Sequence, residues 1–266
     1  MAHFAMPVAT YMTKPVLSVA PDTPIEVVYQ LLTDRGISCV PVVNSVGQAM
    51  GVISRTDLLR LGRLSMGPTG RVTALSFPTS TAGEKMHEGV MTVTPESTVI
   101  AAARLMVKQR IHRVFVKHAE DIEGVLSTKE LLVAIRDKKI ETPIGEHMSK
   151  PAYTIAANTE VSRAMDRLWG AHVSGLVVVD DDERAIGVLT QVEALMARNA
   201  PPDTSLEDVM SYGMLCLHQS TPLYRAAGHA YATRARRVLV TEDHKVVGVL
   251  TGLDFARAIA ASESAS

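Results

Sequence analysis

A chain of 266 residues has room for one large domain or two ordinary ones, and at 47% hydrophobic and 21% charged it reads as a globular protein. A net charge of −1 and a pI near 6.8 give no whole-molecule field that would draw it to nucleic acid or an anionic membrane. No signal peptide and no run of about 18 apolar residues is visible, so nothing is expected to span a membrane, and the two cysteines (Cys39, Cys216) form no disulfide framework, which fits a reducing cytoplasm.

From the N-terminus, Met12-Thr13-Lys14-Pro15 leads into an apolar run from Val16 to Val19, read as a strand, and Pro21-Asp22-Thr23-Pro24 turns the chain. Asp22 or Thr23 is expected to cap a helix carrying Ile25, Val28, Leu31 and Leu32 at helical spacing, with Pro24 in its first turn and Gly36 closing it. Two strands follow, Cys39 to Val43 and Ala49 to Ser54, around an Asn44-Ser45-Val46-Gly47 turn, and then a short helix from Thr56 to Leu61. Residues 63–84 are rich in Gly, Ser, Thr and Pro with little periodicity, and are expected to be a partly mobile loop.

The same order then recurs. Four strands end alike: Gly51-Val52-Ile53-Ser54-Arg55-Thr56-Asp57, Gly124-Val125-Leu126-Ser127-Thr128-Lys129-Glu130, Gly187-Val188-Leu189-Thr190-Gln191-Val192-Glu193 and Gly248-Val249-Leu250-Thr251-Gly252-Leu253-Asp254. The last three glycines lie 63 and 61 residues apart, and the first gap, 73, is lengthened by the 63–84 segment. This gives repeats over residues 7–62, 85–140, 141–200 and 201–262, with the tail from Ser262 expected to fray. A unit of roughly 60 residues cannot bury both sheet faces alone, so the units are expected to pair.

The recurring Met-Thr/Ser opening, the Val40-Pro41-Val42-Val43 strand and the Gly-Val-Leu-Thr-x-x-Asp ending resemble the cystathionine-β-synthase (CBS) domain family, over nearly the whole chain. The resemblance implies an α/β fold of four CBS repeats, each strand-helix-strand-strand-helix, paired into two Bateman modules with clefts for adenosine-containing ligands. Whether the modules pack within one chain or the chain forms a homodimer is left open.

Ser/Thr-x-x-Asp/Glu before a helix is also a capping box, which favours Glu at its third position, as at Glu130 and Glu193. The shorter Asp57 and Asp254 are therefore expected to point outward, where the resemblance implies that they accept ribose hydroxyls together with Ser54 and Thr251. Ser127, Glu130, Thr190 and Glu193 are secondary candidates. At the start of the middle strand stand Ser38-Cys39, His112-Arg113, Ser174-Gly175 and Arg236-Arg237. Arg offers a fork of donors suited to phosphate, and the place is similar to one in the gamma subunit of AMP-activated protein kinase where His or Arg meets nucleotide phosphate. His112, Arg113, Arg236 and Arg237 are accordingly the phosphate candidates, Ser38 and Ser174 carry no charge, and two competent clefts are expected.

No phosphate-binding Gly-rich loop, nucleophile elbow or metal-ligand spacing is found, so no catalytic or metal residue is assigned. The resulting expectation is a non-catalytic sensor of AMP, ADP or ATP, with or without Mg2+, signalling to a separate effector protein. Alternatives are another adenosyl ligand (S-adenosylmethionine or a cyclic dinucleotide), a scaffold with empty clefts, and, least supported, an enzyme.

Overall fold

The computed structural model describes residues 4–66, 72–119, 121–171, 173–198, 200–201 and 203–262. In the first repeat Ile25, Val28 and Leu32 form the buried stripe of α1 (Ile25–Asp34). Strand β1 (Cys39–Val43) pairs antiparallel with β2 (Ala49–Ser54), which runs straight into α2 (Arg55–Leu61). The turn between them is closed by Asn44 Oδ1, which accepts from the N–H groups of Val46 and Gln48.

Next come β3 (Arg63–Met66), β4 (Val72–Ser76), α3 (Ala82–Lys85) and β5 (His87–Glu88). The second repeat consists of β6 (Thr92–Val93), α4 (Val99–Gln109), β7 (Arg113–His118), β8 (Asp121–Ser127) and α5 (Thr128–Asp137). The third has β9 (Thr154–Ala156), α6 (Val161–Gly170), β10 (Gly175–Val179), β11 (Ala185–Thr190) and α7 (Gln191–Met196). The fourth has β12 (Cys216–His218), α8 (Leu223–Thr233), β13 (Arg237–Glu242), β14 (Lys245–Thr251) and α9 (Gly252–Ala261).

Three expectations are corrected. The strand expected over Val16 to Val19 shrinks to one parallel bridge, Val19 to Val42, because Leu17 and Ser18 stay in solvent. Residues 63–84, expected as a loop, hold an antiparallel hairpin of β3 and β4 and the short α3. Phe77 beyond the hairpin stacks at 5.1 Å on Tyr29 of α1. The alternation in Leu64-Ser65-Met66 and Val72-Thr73-Ala74 is short and is set among Gly, Ser, Thr and Pro, which hid the hairpin. Residues 67–71, and the expected fraying beyond Ser262, lie outside the described residues. Finally, neither Asp22 nor Thr23 caps α1: its N-cap is Pro24 without a side-chain bond, and the Ile25 N–H donates instead to the Ser80 carbonyl at 3.1 Å.

That substitute cap belongs to a rule. Each repeat's opening segment crosses to its partner repeat. There it supplies carbonyls to the first helix, whose leading N–H groups have no acceptor of their own. Phe4 and Met6 serve Ile100 and Val99 of α4, Ile140 and Thr142 serve Tyr224 and Leu223 of α8, and Thr204 serves Val161 of α6. Further on, the same segments bridge the outer edge of the partner's last strand. Thr13 pairs with Val125, His87 with Val52, Ser149 with Val249 and Ser211 with Val188. One residue before each of these valines stands the repeated glycine, and the crossing methionine lies on it. A Cβ at Gly124 would sit 2.7 Å from Met12 Sδ, and Met86, Met210 and Met148 crowd Gly51, Gly187 and Gly248 in the same way. Repeats 1 and 2 thus exchange segments, as do repeats 3 and 4.

The two pairs then pack on each other within the chain. Helix α4 lies against α9 and α5 against α8, so repeats 2 and 4 share one apolar core that includes Phe4, Met106, Leu131 and Phe255. Repeats 1 and 3 keep separate cores and meet through α2 and α7. There Arg198 donates to the Leu59 carbonyl at 2.8 Å and to the Gly62 carbonyl, closing the end of α2.

A methyl group at Gly51 would collide with the main-chain carbonyl of His87, which cannot swing aside as a side chain can. Gly51→Ala is expected to lower stability by about 1–3 kcal/mol in chemical denaturation. Gly170→Ala, at a helical glycine with open space around it, is expected to be neutral or slightly stabilising.

Candidate functional site

The four second helices meet in two pairs across the modules, α2 with α7 and α5 with α9. At every strand end the hydroxyl residue is an N-cap and the acid three residues on completes a capping box: Ser54 with Asp57, Ser127 with Glu130, Thr190 with Glu193 and Thr251 with Asp254. The outward orientation expected of the shorter acids is corrected by this geometry. Asp57 Oδ2 accepts from Ser54 N–H at 3.0 Å and Asp254 Oδ2 from Thr251 N–H at 2.6 Å. Extended backbone at the N-cap (φ −109° at Ser54, −111° at Thr251) aims N–H and hydroxyl together at the third residue, a span that Asp bridges as well as Glu.

The second carboxylate oxygen explains the recurring opening motif. Glu130 Oε1 accepts from the crossing Thr13 hydroxyl at 2.9 Å, and Asp254 Oδ1 from the crossing Ser149 hydroxyl at 2.7 Å. Asp254 is wholly buried and also takes Arg257 at 2.8 Å. At Asp57 the crossing residue is His87, whose exposed ring places Nε2 at 3.2 Å from Oδ1. Burial alone would raise the Asp57 pKa, but bonds from Ser54 and His87 outweigh it and hold the carboxyl below its ordinary range. The sequence signal for these clasps was present, a Met-Thr/Ser opening recurring in step with the acid, but the partnership lies between repeats.

The basic candidates divide in two. Arg113 reaches across module 1, donating to Ser38 Oγ at 3.0 Å and Cys39 Sγ at 2.7 Å, and Arg237 does the same in module 2, donating to the Ser174 carbonyl at 3.0 Å. The uncharged strand starts therefore receive the arginine of the partner repeat. His112 and Arg236 look instead to the junction of the modules. The His112 side chain is exposed, yet the protein crowded around its ring first, and then the charges of Arg113, Arg236 and Arg237, lower its pKa. Arg236 is likewise lowered by burial, then by Arg55 and Arg113, with Glu193 opposing. Arg55, the first residue of α2, has no counterpart in the other repeats, where Thr128, Gln191 and Gly252 stand, so repeat reasoning passed it over. The result is a cationic junction built by three repeats, with Glu193 of the fourth facing it. Among the described residues there is no cluster of His, Cys, Asp and Glu able to hold a metal, and no helix long and apolar enough to cross a membrane.

A family model described as the CBS domain matches residues 8–63, 82–137, 144–199 and 201–261. Protein MJ1404 of Methanocaldococcus jannaschii is 25% identical over 257 residues, covering 92% of this chain and 58% of that protein. The gamma-3 subunit of 5'-AMP-activated protein kinase from Sus scrofa is 29% identical over 121 residues, 42% of this chain and 22% of that subunit. The chain therefore spans less than two thirds of the length of either relative. Among solved structures, protein MJ1225 of Methanocaldococcus jannaschii, put forward as an archaeal homologue of g-AMPK, has the same fold. Its TM-score is 0.75 at 14% identity, covering 95% of this chain and 99% of that one.

Because the folded-state pKa of Asp57 is depressed, its clasp adds stability that is complete above the unfolded carboxylate pKa and is lost as pH falls through the depressed value. Asp57→Asn is expected to be about 1–2 kcal/mol less stable at pH 7 by urea unfolding, with the gap to the parent closing as pH falls below the ordinary carboxylate range.

Proposed function

Since this chain belongs to the CBS domain family, with four repeats in two Bateman modules, we propose that it is a non-catalytic sensor of adenine nucleotides. The observation that carries this reading is the crowding of His112, Arg113, Arg236 and Arg237, together with Arg55, at the junction of the modules, where Glu193 opposes the charge of Arg236 and Arg237. Like charges gathered at one place repel even where, as at His112 and Arg236, the side chains are exposed, and a phosphate chain offsets that cost. His112 and Arg236 are the primary phosphate ligands, because Arg113 and Arg237 already bond the neighbouring repeat.

Ribose is assigned to Ser54 and Asp57 in module 1, where the second carboxylate oxygen is held by the exposed His87 and, at 3.8 Å, by Arg60. Thr251 and Asp254 take the same part in module 2 once both Ser149 and Arg257 have let go of the buried Asp254. Ser127, Glu130, Thr190 and Glu193 serve as clasps or counter-charge. The nucleotide shifts the balance between module arrangements by its differential affinity, and a separate effector protein reads the result. One observation favours a second reading, a scaffold that binds nothing: the repeated acids are already satisfied by the protein itself.

Calorimetry and thermal shift separate the two. AMP, ADP or ATP is expected to raise the melting temperature, and Arg236→Ala to weaken binding about 10- to 100-fold while leaving adenosine unaffected. The His112 pKa is lowered in the free protein and a bound phosphate restores its charge. Binding therefore takes up a proton at His112 and tightens as pH falls toward the ordinary histidine range, a contribution that His112→Gln removes. No stabilisation by any nucleotide, S-adenosylmethionine or cyclic di-AMP would leave the scaffold reading standing.

A further inference from the structure

The modules pack through two helix grooves, α4 with α9 and α5 with α8, and the surfaces of the two grooves differ in chemistry. Counted from the helix starts, α4 aligns with α8 and α5 with α9. Tyr224, Arg225 and Tyr231 of α8 stand where α4 has Ile100, Ala101 and Val107. Lys129 and Arg136 of α5 stand where α9 has Leu253 and Ala260. The same packing is thus made without these rings and charges, so the fold does not require them.

In the α5–α8 groove the cations rest on aromatic rings. Arg136 lies 5.8 Å and Lys129 5.5 Å from the centre of the exposed Tyr231 ring. Arg225 lies 5.8 Å from the centre of Tyr224, and its Nε donates to the Tyr224 hydroxyl at 3.1 Å. A guanidinium on a ring face keeps its charge and leaves most of its donors available. Helix α5 ends where α8 starts, the Tyr224 N–H donating to the Ile140 carbonyl at 3.0 Å, so the exposed Lys138 and Lys139 extend the same strip. The one exposed acid of these two helices is Asp137, paired with Arg136 at 3.0 Å. Among the described residues Lys129, Lys138, Lys139 and Arg225 have no carboxylate partner, whereas Lys14 and Lys245 elsewhere are met by Glu123 and Glu183. In a chain of net charge −1 this is a local concentration of positive charge.

We propose that the α5–α8 groove is a docking surface for an acidic segment of a partner protein. Its carboxylates are taken by Arg136, Arg225, Lys138 and Lys139, and its apolar side chains by Tyr224 and Tyr231. Helix α5, of ten residues, is about 15 Å long, a span that an extended peptide of about five residues covers. Asp137 within the strip favours protein over nucleic acid. An unbroken row of phosphates is repelled there, whereas a peptide can set a hydroxyl or an ammonium group opposite it. A contact of this size and exposure is transient and weakens with salt. The inference deepens the sensor reading by giving the face on which the effector is held, but the attraction itself needs no nucleotide.

The full chain is titrated by fluorescence anisotropy at low salt with three labelled probes. They are a short peptide of alternating Glu and Leu, the same peptide with Gln for Glu, and a single-stranded oligothymidylate of similar length. The Glu-Leu peptide is expected to bind, to weaken as salt rises, and to bind more tightly than either of the others. Arg136→Gln combined with Arg225→Gln is expected to keep the parent's melting temperature, as both side chains are exposed, and to bind the peptide about three- to tenfold more weakly. Lys138→Gln with Lys139→Gln reads the same strip independently and is expected to weaken binding too. Lys108→Gln with Arg163→Gln removes two exposed charges elsewhere and is expected to leave binding unchanged. No binding of the Glu-Leu peptide, equal affinity for the Gln peptide, or an equal loss in that last variant overturns the proposal. Tighter binding of the oligothymidylate assigns the strip to nucleic acid and overturns it as well. If AMP or ATP raises the melting temperature while the peptide fails to bind, the docking face is wrong and the sensor reading survives. If the peptide binds and no adenosine compound does, the face survives and the sensor reading falls.

Discussion

The constraint on which the rest of this structure depends is the reciprocal loan of opening segments between paired repeats. Each lent segment does three jobs at once. Its carbonyls satisfy the bare N–H groups at the start of the partner's first helix, its hydroxyl or imidazole meets the partner's acid where one is seen, and its edge covers the partner's last strand. An uncovered strand edge invites pairing with other chains. A hydrogen bond of this kind contributes only about 0.5–1.5 kcal/mol, but leaving the buried acid or amide unmet costs more. The glycine in the repeated ending is best understood here, since it clears room for a methionine that arrives from elsewhere in the chain.

A second level of asymmetry follows. Repeats 2 and 4 contribute helices to one continuous apolar core, whereas repeats 1 and 3 bury their side chains separately and touch through α2, α7 and the Arg198 clasp. Burial of apolar area is the dominant favourable term in such contacts, so separation is resisted far more on one side of the molecule than on the other. Helix α2 spans this lightly held side, with Arg55 at its first residue and Arg198 at its end.

Much of this was legible in the chain itself. The period of the glycines, the helical spacing of Ile25, Val28 and Leu32, and the turn at Asn44 led to four repeats and to α1, β1 and β2, because each is local. The orientation of Asp57 and Asp254 was misread because one methylene was weighed more heavily than the backbone geometry of the N-cap, which brings the donors to the acid. The exchange of segments could not be seen by reading repeats as units, since its partners lie about a repeat apart: Thr13 and Glu130, Ser149 and Asp254. Arg55 escaped for the opposite reason, as a residue without sister copies is invisible to any argument built on recurrence.

The mutual loan has an arithmetic of its own. A solitary repeat would leave the leading N–H groups of its first helix without acceptors and one flank open, and a third repeat added to a pair would have nobody to lend to. Growth of such a chain therefore proceeds by even numbers, and the heritable building block is the couple rather than the single copy.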